Sequence, residues 1–139
     1  MKITRRFALA TLLVLAVAVV LGAPAPASAA SATFKLYPAA DSPFPHATGM
    51  VNLSPEVGFL SSFSVSVSKL APNASYYTPV TVRSHDYYWG YYDYVYNVPI
   101  QTDARGNGKG GFGRSDSLIT SYLFQVYDAS GTLVLTSNR

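Results

Sequence analysis

The chain of 139 residues has no cysteine. That excludes disulfides, thiol nucleophiles, a lipid anchor on cysteine and every sulfur-ligated zinc site. Histidine is almost as scarce, with only His46 and His85, too few for a dinuclear copper/zinc centre. Glutamate occurs once, at Glu56, and charged residues make up 12% of the sequence, so there is little material for paired carboxylates. Beyond residue 30 there is no long apolar run and no helical periodicity.

The first thirty residues are read as a segment apart. Lys2, Arg5 and Arg6 precede an apolar run from Phe7 to Leu21, and small residues follow, ending in Ala27-Ser28-Ala29. This is the three-part pattern of a cleavable secretory signal peptide. The apolar run is shorter than the ~20 residues a membrane-spanning helix needs. The expected organisation is a signal peptide over 1–30 and one secreted, extracellular domain over 31–139, with no membrane span after cleavage.

Three of the ten basic residues belong to that leader. The remainder carries seven basic and seven acidic residues, a net charge of zero. No basic face is left for nucleic acid or an anionic membrane.

What the chain does have is tyrosine. His85-Asp86-Tyr87-Tyr88-Trp89-Gly90-Tyr91-Tyr92-Asp93-Tyr94-Val95-Tyr96 holds six of the eleven tyrosines and the only tryptophan. Its second half alternates, placing Tyr92, Tyr94, Tyr96, Val98 and Ile100 on one face, the pattern of a half-buried strand. That face is expected to point to the core. Gly90 is placed for a hairpin turn.

The flanking segments also alternate. Strands are predicted at Thr33–Tyr37, at Thr48–Leu53 (stopped by Ser54-Pro55), and at Phe59–Leu70 with Phe59, Phe63, Val65 and Val67 inward and serines outward. Others are predicted at Tyr77–Ser84 and at Tyr122–Tyr127 and Thr132–Ser137, the last two joined across Asp128-Ala129-Ser130-Gly131. The glycine-rich Lys109–Arg114 is a poor strand on propensity; tyrosine rings lying across it would compensate. Seven or eight short strands at roughly ten-residue spacing predict an immunoglobulin-like or Greek-key β-sandwich, with a small closed barrel as the alternative.

Leu70-Ala71-Pro72-Asn73-Ala74-Ser75-Tyr76, Thr102–Gly108 and Asp128–Val134 resemble turns of the chordin-repeat (CHRD) and copper/zinc superoxide-dismutase-like sandwiches. The resemblance implies a secreted sandwich. It does not carry the dismutase metal site, because Tyr77-Thr78-Pro79 stands where the histidine-x-histidine motif would be.

For function, the aromatic stretch is the strongest candidate. Tyr87, Tyr88, Trp89 and Tyr91 flank the turn glycine as ligand-binding residues, and rigid amphipathic rings suit carbohydrate or another surface protein. The expected role is therefore non-enzymatic binding or an envelope role, with no catalytic residues, no metal and no cofactor. The alternative is a small carbohydrate-active enzyme or hydrolase using Asp86 and Asp93 as its acid pair. His46, His85, Asp86 and Asp93 can be drawn around one metal, but no spacing fixes them. Asp103-Ala104-Arg105-Gly106-Asn107-Gly108 offers oxygens on a turn without the ligand spacing of a calcium loop.

N-terminal sequencing of the exported protein should return a start within a few residues of Ala30. A mature protein starting at Met1 would remove both the leader and the neutral charge balance.

Overall fold

A computed structural model describes residues 31–56, 60–114 and 117–138. Nine strands follow one another: β1 (Ala32–Pro38), β2 (Thr48–Glu56), β3 (Leu60–Ser68), β4 (Ser75–Asp86), β5 (Gly90–Thr102), β6 (Gly108–Arg114), β7 (Ser117–Ile119), β8 (Gln125–Asp128) and β9 (Leu133–Thr136). The leader and Phe59 lie outside the described residues.

The all-β expectation holds, but the sandwich does not. The strands run β5-β6-β3-β2-β1-β9-β8-β4 and return to β5, so eight of them close a barrel, with β7 added along the far edge of β4. Closure depends on three long-range pairings, β1 with β9, β3 with β6 and β4 with β8. A sandwich would leave two separate sheets with free edges; here β5 pairs with both β4 and β6 and joins them. Local alternation is the same in both architectures, which is why the strand pattern alone favoured the commoner one.

Period 2 sends Leu36, Val51, Phe63, Val65, Val67, Val80, Val82, Val98, Ile100, Phe124, Val126 and Val134 inward, each nearly or fully buried. Ser62, Ser64, Ser66 and Ser68 of β3 alternate to the outside, half-buried or exposed. Phe124 touches Phe34 and Phe63 at ring-centroid distances of 4.9 and 5.8 Å. Side chains thus fill the barrel, as in other narrow eight-stranded barrels.

β6 is a strand despite its glycines, and because of them. A Cβ on Gly110 would come within 2.5 Å of the Pro99 carbonyl oxygen, and one on Gly108 within 2.9 Å of Ile100 Cγ2. The bare backbone lets β6 approach Val98 and Ile100. At Gly108 and Gly110 these residues, rather than tyrosine rings, stand nearest. Farther along β6, Phe112 meets Tyr96 at 5.1 Å and Gly113 lines a cleft with Tyr94 and Tyr96.

Two further expectations change. β2 runs on through Pro55, which stands opposite Ser61. Tyr122 lies before β8 rather than in it and is 89% exposed. The corner at Leu70–Tyr76 is tied by the Ala71 N–H, which donates to the Tyr76 hydroxyl at 3.1 Å. The Leu70 N–H donates to the Gly106 carbonyl, and Gly106 adopts φ +78° with its Cα against the Leu70 backbone.

Phe124→Ala should destabilise the fold by about 3–5 kcal/mol, as for other fully buried aromatic truncations, read by urea denaturation. Trp89→Ala should cost about 1 kcal/mol or less, as at an ordinary surface position. Equal losses in the two variants would contradict this core.

Candidate functional site

With the barrel interior packed, a ligand must be met outside it. β4 and β5 are the longest strands, 12 and 13 residues, and pair without interruption from Ser75–Gln101 to Asp86–Gly90. The barrel wall uses only the first part of this ladder. On the inward face of β5, Ile100 and Val98 are buried, Tyr94 is partly buried, and Tyr96 and Tyr92 are 42% and 48% exposed. The face assignment was therefore right, while placing Tyr92 and Tyr96 in the core was not. They share the inward parity, but their end of the ladder projects past the wall as a lip.

The tip of the lip is locked. Asp86 pairs with Gly90 across a three-residue loop, and Gly90 takes φ +75°, the left-handed position that closes such hairpins. Asp86 Oδ1 accepts the Tyr88 and Trp89 N–H groups at 2.8 and 3.1 Å. The loop side chains stand almost wholly in solvent: Tyr87, Tyr88 and Trp89 are 89%, 86% and 86% exposed. Tyr87 and Tyr88 stand edge to face, centroids 5.4 Å apart and planes 86° apart. The rings form no common plane.

The outer face of the lip mixes rings with charge. His85 and Tyr91 meet edge to face at 4.9 Å. Arg83 binds Asp93 through both carboxylate oxygens, at 2.7 and 2.9 Å. The hydrogen bond and charge of each partner hold the Arg83 pKa above and the Asp93 pKa below its ordinary value. Leu118 of β7 stands opposite Arg83 and, like Tyr122 just beyond that strand, is exposed. On the inner face a cleft of about 110 Å³ opens between Val82, Tyr94, Tyr96, Phe112 and Gly113.

The structure thus brings Tyr87, Tyr88, Trp89 and Tyr91 onto one projecting hairpin. It does not bring Asp86 and Asp93 together. Their parity puts them on opposite faces of the hairpin, and each is already engaged, one with turn amides and the other with Arg83. Among the described residues no three His, Asp or Glu side chains cluster around a metal position, and no helix is long and apolar enough to cross a membrane. Leu118 and Tyr122 were missed. The short β7 alternates over too few residues to register, and Tyr122 was assigned to a strand.

The Asp103 turn has a structural use. Asp103 Oδ1 accepts the Arg105 and Asn107 N–H groups at 2.8 and 2.9 Å, and Asp128 Oδ1 accepts the Ser130 hydroxyl at 2.6 Å and the Thr132 N–H at 2.9 Å. These bonds stabilise the ionised carboxylates and lower both pKa values, chiefly through the Asn107 amide for Asp103 and the Ser130 hydroxyl for Asp128.

A depressed folded-state pKa contributes stability that is complete above the unfolded value and lost as pH falls through the folded one. The melting temperature should therefore drop below about pH 4, where unfolded carboxylates begin to protonate. The drop should be shallower in Asp103→Asn/Asp128→Asn, and a chelator should leave the melting temperature unchanged. Equal acid sensitivity in variant and wild type would show that these carboxylates do not hold their turns.

No protein family, no curated protein and no solved structure matches this chain.

Proposed function

We propose that the chain is an exported, non-enzymatic binding protein whose β4–β5 hairpin docks on another protein at the cell surface or outside the cell. One observation carries the reading: Tyr87, Tyr88 and Trp89 are held almost fully in water on a turn that Asp86 and Gly90 make rigid. Exposing large rings on a stiff turn does nothing for the barrel, whose core is complete without them. Presented without ordering cost, such rings are the residue types that dominate protein interfaces.

The choice of a protein over a carbohydrate rests on ring geometry. Stacking on sugar faces calls for a flat row of rings, whereas Tyr87 and Tyr88 are perpendicular and His85 and Tyr91 meet at 64°. The surrounding Arg83, Asp93 and His85 make a mixed polar and aromatic patch, as protein interfaces do. Export rests on the leader pattern of residues 1–30.

Trp89 is the only tryptophan, so its fluorescence reads the site directly. In the free protein it should be fully open to acrylamide quenching. Envelope material from the producing cells should shift its emission to the blue and protect it. Protease treatment of that material should abolish the shift, while periodate oxidation of its sugars should leave it. The opposite pattern would make the ligand a carbohydrate, and no shift with either preparation would remove the binding reading.

A further inference from the structure

We infer that β5 is also an association edge, to which a second copy of this chain adds its own β5 in antiparallel register. Alternate residues of a strand turn their main-chain groups to opposite sides. The Thr102 N–H donates to the Ala74 carbonyl at 3.0 Å, and the β4–β5 register runs unshifted to the tip. The even-numbered residues of β5 therefore face β4, and the odd-numbered ones face the other way. On that side Gln101 meets Lys109 of β6, and the Asp103 N–H donates to Asn107 at 2.8 Å. The next residue in the series is Pro99, which has no N–H to give. There the β5–β6 ladder ends, and among the described residues no strand is paired along Tyr91, Asp93, Val95 and Asn97 on this side.

Native proteins blunt such edges with lysine, proline, bulges or shortness. Residues 91–97, Tyr-Tyr-Asp-Tyr-Val-Tyr-Asn, have none of these. Their one charge, Asp93, is already matched by Arg83 on the neighbouring strand. Exposed apolar surface is concentrated here too, with Tyr91 at 68% and Val95 at 61%.

Charge and pattern select the occupant. A strand with unmatched charges finds no partner charge on this edge, whereas a β-former of the same alternation whose single charge is already matched does fit, and β5, with Asp93 held by Arg83, is one. Pairing about a two-fold axis at Tyr94 sets Asp93 opposite Val95 of the second copy and Tyr91 opposite its Asn97. No carboxylate then faces a carboxylate, and outward main-chain groups meet outward main-chain groups. Tyr92 falls opposite Tyr96 of the second copy, so the inner face gains the cross-strand aromatic pairs that favour antiparallel sheets. The pairing stops short of Pro99, where β6 closes in, and uses none of Tyr87, Tyr88 and Trp89. It stands or falls separately from the proposed partner at the tip.

Sedimentation equilibrium of the purified protein should show a concentration-dependent monomer–dimer equilibrium. Val95→Pro removes a donor on the open side while sparing the β4 ladder, since Val95 and Thr81 form a non-hydrogen-bonded pair. Val95→Lys adds a charge at the same place and covers the case in which the proline variant fails to fold. Each should weaken dimerisation at least about tenfold, the size of effect that one lost interaction of about 1.4 kcal/mol gives, with an unchanged far-UV spectrum. Trp89→Ala should leave dimerisation unchanged. A wild-type protein that stays monomeric throughout, a dimer indifferent to both Val95 variants, or one lost only with Trp89→Ala would each overturn the inference.

Discussion

The β4–β5 ladder is longer than the wall it helps to build, and the rest of the molecule is arranged around that mismatch. Its first half, from Ser75–Gln101 to about Val80–Tyr96, has barrel strands behind it and sends Tyr76, Val80, Val98 and Ile100 into a closed core. In its second half β4 still buries Val82 and Ser84 and pairs with β7, while the β5 rings opposite them keep the same alternation but are only partly covered. Identical parity thus yields a buried Val98 and a half-exposed Tyr92, because burial depends on what lies opposite a face as well as on which face a residue occupies.

Proline and glycine set where the two halves part. Pro99 ends hydrogen bonding to β6 at the point where the next donor is needed. Gly108 and Gly110 nevertheless bring the β6 backbone against Ile100, Val98 and Pro99, keeping the wall shut by packing. Pro79 is accommodated by the same logic. It stands opposite Asn97 in a pair that needs no N–H toward β5, between the segments of β4 that pair with β8 and with β7. The turns rely on aspartate in the same way at three places: Asp86, Asp103 and Asp128 each accept backbone N–H groups from the residues just after them. Among the described residues, three of the aspartates are thus engaged in chain reversal.

The sequence by itself determined the all-β class, the inward rows of β3, β4 and β5, the hairpin around Gly90 and the turn at Gly131, because alternation and positive-φ glycines are local properties. It also singled out Tyr87, Tyr88, Trp89 and Tyr91. Only the tertiary structure decided that the sheet closes into a barrel, since β1–β9, β3–β6 and β4–β8 join segments far apart in the chain and no local pattern encodes which edges meet. Tertiary structure likewise decided that Tyr92 and Tyr96 emerge from the core, that Asp93 belongs to Arg83, and that, among the described residues, no strand lines the odd-numbered side of β5 from Tyr91 to Asn97. Those outcomes depend on where the wall ends and which strand lies alongside, and a strand's own residues carry no record of either.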